Sequence, residues 1–139
     1  MSTCEFSTSR SSELSVDALW MRVVDIEKWP QFTSSISSAV IAHGGVLEVA
    51  AEVVIKQPGA PESTWTVTEL INQKAFTYEM HRAGLVTVAQ HAVEASSTGG
   101  SVLTLTFSMR GRLAKVWGAL MSKKIREFLQ LEVEGLTQP

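Results

Sequence analysis

Along most of the chain apolar and polar residues alternate with a period of two, and in two places the period lengthens to that of a helix. Cys4 to Ser9 alternates weakly, which reads as a first strand with Phe6 inward and Glu5 and Ser7 outward. Ser11, Ser12 or Ser15 can cap the helix that follows. Leu14, Ala18, Met21 and Ile26, joined by Val16, Leu19, Trp20, Val23 and Val24, give that helix an apolar stripe broad enough to bury against a sheet. Asp25-Ile26-Glu27-Lys28-Trp29-Pro30 then stops it. Proline fixes its own φ, lacks an N–H and pushes the preceding residue out of the α region. The helix that starts near Ser15 is therefore predicted to end at Asp25 to Lys28, with Asp25 as a local cap or anchor. Pro30 is predicted to open a second, short helix through Gln31, Phe32 and Thr33.

From Ile36 the period of two returns. Val40, Ile41, Val46, Leu47, Val49, Val53 and Ile55 flank Gly44-Gly45, a tight-hairpin signal, and Gln57-Pro58-Gly59-Ala60-Pro61 is a loop. Trp65, Val67 and Glu69 alternate with threonines, and Phe76, Tyr78 and Met80 alternate with Thr77, Glu79 and His81. A turn at Ala83-Gly84 leads into Val86 to Ala95, and one at Gly99-Gly100 leads into Leu103, Leu105, Phe107 and Met109. Strands in such succession, joined by short loops, form an antiparallel meander with one buried face. After Gly111 the period is helical: Leu113, Val116, Trp117, Leu120, Met121, Ile125, Phe128 and Leu131 share one broad side. Arg112, Lys115, Lys123, Arg126 and Glu127 lie mostly on the other. About 25 residues at 1.5 Å each give a rod of roughly 37 Å, enough to cross the whole sheet.

Composition narrows the classes. A chain of 139 residues with 45% hydrophobic and 19% charged residues is read as one domain, residues 1–139, with a real core. A net charge of −2 gives no electrostatic footprint for nucleic acid. No apolar run approaches the ~20 residues that span a bilayer, so no stable membrane insertion is expected. The Ser/Thr-rich start has no signal-peptide core, and a lone cysteine cannot form an internal disulfide; both favour a cytoplasmic protein. Cys4 reads as a small strand residue rather than a nucleophile. His43, His81 and His91 lack metal-ligand spacing, Ser37-Ser38 and Ser96-Ser97 lack a nucleophile-elbow context, and the glycine pairs do not open helices. No metal and no cofactor are therefore expected.

In the order and spacing of its motifs the chain resembles the START-like superfamily (SRPBCC), in particular its polyketide cyclase/dehydrase-like members. The residues that carry the resemblance are the Trp20-bearing helix with Asp25-x-x-x-Trp29-Pro30, Trp65-Thr66-Val67-Thr68-Glu69-Leu70 and Phe76-Thr77-Tyr78-Glu79. His91-Ala92-Val93-Glu94, Gly111-Arg112-Leu113 and Leu131-Glu132-x-Glu134-Gly135-Leu136 complete it. The resemblance implies an α+β helix-grip fold: a curved seven-stranded antiparallel β-sheet around a long C-terminal helix, with two short helices after strand 1. It also implies a hydrophobic cavity between sheet and helix that takes lipids, sterols, polyketides or other aromatic small molecules. Members of the superfamily include enzymes and carriers, and fold alone does not fix function.

If the long helix covers the concave face, the residues alternating with the threonines point at it, from Val49, Ala51, Val53 and Ile55 through to Met109. On the sixth strand the set with Ala89, His91 and Val93 is favoured, since Val93 is the better core residue and the resemblance has a histidine here. Glu69, Tyr78 and His91 would then be polar groups in an apolar cavity and must find partners. They form either a ligand-orienting or acid–base set or a satisfied polar cluster. Trp29 and Phe32 are expected at the entrance. Val53, Trp65, Val67, Tyr78, Met80, His91, Leu105, Phe107, Met109, Trp117, Leu120 and Met121 are expected around a ligand. Arg110, Arg112, Lys115, Lys123, Lys124 and Arg126 read as a solvated basic face. The expected function is binding of a small hydrophobic ligand. The alternatives are a polyketide cyclase or dehydratase using the polar residues, and a protein-interaction module using the sheet's outer face.

Overall fold

The computed structural model describes residues 2–139. Its strands are β1 (Ser2–Ser12), β2 (Ser38–Ile41), β3 (Glu52–Lys56), β4 (Ser63–Ile71), β5 (Ala75–Arg82), β6 (Leu85–Ala95) and β7 (Ser101–Gly111). They pair antiparallel in the order β1-β7-β6-β5-β4-β3-β2, a meander whose last strand is flanked by the first. The 23-residue helix α2 (Ala114–Leu136) packs on β1 and β7, and α1 (Val16–Val24) with a 3-10 helix (Ile26–Gln31) follows β1. This is the α+β helix-grip arrangement. No described helix is long and apolar enough to cross a membrane.

Ser15 caps α1 by accepting the Ala18 N–H at 3.1 Å, while Ser12 instead donates to the Thr137 carbonyl at 2.7 Å. The chain leaves the α conformation at Asp25 (φ −84°, ψ 64°), one residue after α1 ends. The second helix therefore begins at Ile26, four residues before Pro30, rather than at the proline. In an α-helix the Pro30 ring would meet the carbonyl of Ile26, and the tighter 3-10 winding accommodates it. The Asp25 side chain makes no cap bond and pairs with Lys28 at 3.4 Å in solvent.

Two strand expectations fail for local reasons. Gly44-Gly45 is not a tight hairpin: His43, Gly44 and Gly45 all have positive φ (58°, 111°, 78°), and the chain then loops to β3. Val46 and Val49 are exposed in that loop, and inward alternation begins only at Val53 and Ile55. On β4 a bulge between Val67 and Glu69 shifts the register, so Leu70 rather than Glu69 shares the inner face with Trp65 and Val67.

Helix α2 is also rotated from the expected apolar side. Its buried face carries Ala114, Gly118, Leu129, Glu132, Val133, Gly135 and Leu136, and Leu113, Val116, Leu120 and Leu131 are exposed. Small residues decide this. A Cβ on Gly118 would lie 2.5 Å from Cys4 Sγ, and one on Gly135 would lie 2.0 Å from the Phe32 carbonyl oxygen. Only glycine permits such approach of the helix to β1 and to the end of the 3-10 helix. Arg22 adds a hydrogen bond to the Leu136 carbonyl at 3.2 Å, so α2 is fastened at its C-terminal end. The helix packs on β1 and β7, and a gap remains between it and the rest of the concave face.

Candidate functional site

The gap between α2 and the concave face is a cavity of about 480 Å³. Strand register determines its shape. Ala89 on β6 lies opposite Tyr78 on one side and Phe107 on the other, so a methyl group sits between two large rings and leaves space. Met80, Thr87 and Met109 form the neighbouring row, and Trp65 and Ile55 extend the lining toward β3. From α2 the wall is Trp117, Met121, Ile125 and Phe128, with spacings of four, four and three residues that keep them on one side of the helix. Three of the chain's five methionines are among these residues, a soft lining that can follow different ligand shapes. Exposed Gly59, Arg82 and Ala83 mark where the cavity meets solvent, at the loop Gln57–Pro61, with Lys124 also in the lining.

The opposite, buried end is polar. His91 on β6 pairs across the sheet with Phe76, and the two rings stack with centroids 4.2 Å apart and planes within 7°. Trp29 closes this end from the other side, its ring centroid 5.2 Å from that of His91 and its Nε1–H bonded to the Val23 carbonyl at 3.1 Å. His91 Nε2 lies 3.3 Å from Glu132 Oε1, a pair made by side chains that are 3% and 11% exposed. Nδ1 of the same ring has no partner among the described residues. Tyr78 stands edge-on to His91 with centroids 5.4 Å apart. Burial first, and then the Glu132 carboxylate, push the Tyr78 phenol well above its ordinary pKa. At neutral pH the cavity floor thus offers a phenolic O–H donor beside a histidine–carboxylate pair.

The Tyr78 shift has a measurable sign. A folded pKa above the unfolded value of about 10 stabilises the folded state fully below that pH. The contribution is lost as pH rises from about 10 toward the folded value. Tyr78 is the chain's single tyrosine, so phenolate absorbance reports it alone. Phenolate is expected to appear only with alkaline unfolding; reversible ionisation near pH 10 with unchanged circular dichroism would contradict the burial argument.

Of the fourteen residues expected around a ligand or at its entrance, Trp65, Tyr78, Met80, His91, Leu105, Phe107, Met109, Trp117 and Met121 border the cavity. The others do not. Trp29 is fully buried behind His91 rather than at the entrance. Phe32 lies outside the cavity with the Arg22 guanidinium 4.3 Å over its ring, beside the α2 terminus. Val53 and Val67 point inward but are fully packed in the core, because the helices after β1 fill that end. Leu120 is 72% exposed on the outer side of α2, a consequence of the helix rotation. Glu69 is in solvent beyond the bulge. Among the cavity residues not expected around a ligand are Glu132, Lys124, Arg82 and Phe128, together with Ala89, which alternation places only on the inner face. Glu132 had a usable signal: with Leu129, Val133 and Leu136 it falls at the helical spacing of a buried face.

Comparisons with solved structures return the same fold. The di-domain ARO/CYC StfQ from the steffimycin biosynthetic pathway superposes with a TM-score of 0.76 at 10% identity, over 97% of this chain and 50% of that one. The chain thus spans about half the length of that protein. Ginseng major latex-like protein 151 from Panax ginseng matches with a TM-score of 0.74 at 11% identity over 99% of both chains. A hypothetical protein from Helicobacter pylori matches at 0.76 and 14% identity, over 98% of this chain and 86% of that one. At such identities these likenesses concern the fold alone. No curated protein matches the sequence. The family model described as polyketide cyclase / dehydrase and lipid transport matches residues 3–138. The chain, matched over nearly its whole length, belongs to the polyketide cyclase/dehydrase and lipid transport family.

Proposed function

We propose that this protein binds a small hydrophobic molecule, aromatic, polycyclic or lipid-like, in the cavity between the sheet and α2. The observation that carries the reading is the cavity itself: about 480 Å³, lined mainly by apolar and aromatic side chains, open at one end and polar at the other. Its size falls within the range of small-molecule sites, roughly 300–1,000 Å³. Burying an apolar ligand there gains about 25 cal/mol per Å² of its surface removed from water, before the costs of association. Kinship to a family described by polyketide and lipid chemistry points the same way.

The test uses N-phenyl-1-naphthylamine, an uncharged aromatic probe whose fluorescence rises in apolar surroundings. Saturable binding to the wild type is expected. Ala89→Phe puts a ring into the open space between Tyr78 and Phe107, and is expected to weaken the probe at least tenfold with the circular dichroism unchanged. Absence of saturable binding to the wild type would sink the reading.

A second reading, a polyketide cyclase or dehydratase, is favoured by one specific feature. The protonated Tyr78 phenol and the His91–Glu132 pair stand together at the buried end. Such a set can donate a hydrogen bond to a substrate carbonyl and move a proton while the cavity folds a flexible poly-ketone for intramolecular attack. His91 and Tyr78 fit this role, whereas Glu69 lies in solvent and Glu132 takes its part. The StfQ likeness agrees with this reading without carrying it.

A further inference from the structure

The open end of the cavity differs in charge from the buried end. Arg82 and Lys124 both border the cavity where it meets the loop Gln57–Pro61. The Lys124 ammonium lies against Gly59, where a Cβ would be 3.1 Å away, and 5.6 Å from the Phe128 ring centroid. Arg82 Nη2 donates to the Glu62 carbonyl at 3.3 Å, which ties the guanidinium to the same loop. Neither cation makes an ion pair among the described residues. At the far end, Glu132 is already taken by His91, and the Tyr78 hydroxyl supplies a donor. Lys124 and Glu132 are eight residues apart on α2, roughly 12 Å along its axis.

We propose that the ligand is an amphipathic anion. Its carboxylate, sulfonate or phosphate lies at the mouth with Arg82 and Lys124, its apolar body fills the cavity over about 12 Å, and a carbonyl or hydroxyl oxygen reaches Tyr78. This rests on the cavity-binding reading and adds the chemical class. Two loosely held cations beside an apolar opening attract an anion without first breaking a native salt bridge. Both border the same cavity beside the same loop, so one anionic group there can be met by both. A neutral ligand of the same shape would leave them merely hydrated, and a cationic one would be repelled.

The experiment compares two probes with one skeleton: 1-anilinonaphthalene-8-sulfonate and the uncharged N-phenyl-1-naphthylamine. The wild type is expected to bind the sulfonate about tenfold more tightly. Arg82→Gln/Lys124→Gln is expected to bring the sulfonate down to the affinity of the uncharged probe, and to leave the latter within about twofold. Ala89→Phe is expected to weaken both. Equal affinities in the wild type, a sulfonate preference that survives in the double variant, or sulfonate binding unaffected by Ala89→Phe would each overturn the anion assignment while uncharged binding upholds the cavity. Failure of the uncharged probe to bind the wild type saturably would remove the cavity reading, and the assignment with it.

Discussion

His91→Ala is expected to lower stability at pH 7 by about 3 kcal/mol, because three contacts are lost at once. The imidazole is the hydrogen-bond partner of Glu132, whose carboxylate then stays among apolar side chains with little water to replace it. The ring also stacks flat on Phe76 and touches Trp29, so its removal leaves a void between two large aromatics. Glu132→Gln retains an acceptor for Nε2–H and is expected to cost less than about 1 kcal/mol. In a double-mutant cycle by urea unfolding, His91→Leu with Glu132→Leu should cost less than the sum of the singles, by about 1–3 kcal/mol. Additive single effects would show that the pair contributes nothing. The same variants separate the two functional readings. A carrier should keep its affinity for an uncharged probe when Glu132 becomes Gln, whereas an enzyme that moves a proton there should lose turnover.

The sheet was legible because alternation survives in it almost uninterrupted. Each of Phe76, Tyr78 and Met80, and each of Leu103, Leu105, Phe107 and Met109, faces the concave side as its spacing requires. Legibility stops where one residue breaks the period. The bulge after Val67 moves Glu69 into solvent, and a bulge leaves no mark in a run of Thr, Val and Leu that reads equally well either way. The rotation of α2 has a different origin. Leu113, Val116 and Leu120 look like a buried stripe, but burial follows how closely the helix can approach, and Gly118 and Gly135 give their own side that advantage. Glu132 lies on the favoured side as a result. Hydrophobicity alone assigns a glutamate to solvent, so the partner of His91 escapes pattern reading. Trp29 marks the helix break in the sequence. Its place behind His91 depends on the 3-10 turn beginning at Ile26, which the proline rule does not specify.

Gly135→Ala is expected to destabilise the protein by about 2–3 kcal/mol, a sign opposite to the usual gain of up to about 1 kcal/mol for replacing a helical glycine by alanine. The new methyl would lie 2.0 Å from the Phe32 carbonyl oxygen and 2.8 Å from its carbon, and backbone atoms cannot rotate out of the way as a side chain can. Either the end of α2 lifts or the segment after the 3-10 helix retreats. Both movements strain the bond from Ser12 to the Thr137 carbonyl and that from Arg22 to the Leu136 carbonyl. Gly118→Ala provides the comparison. Its methyl meets the Cys4 side chain at 2.5 Å, and Cys4→Ala in the same chain removes the sulfur and should recover part of the loss. No such rescue exists for Gly135. Glu132 is three residues before it on the buried face, so lifting this end also draws the carboxylate away from His91. Urea unfolding should therefore show Gly135→Ala and Glu132→Gln to be non-additive, since the second change removes part of what the first has already disturbed. A Gly135→Ala variant as stable as the wild type would mean that the helix end is not pinned here, and that the polar floor of the cavity is held by the sheet alone.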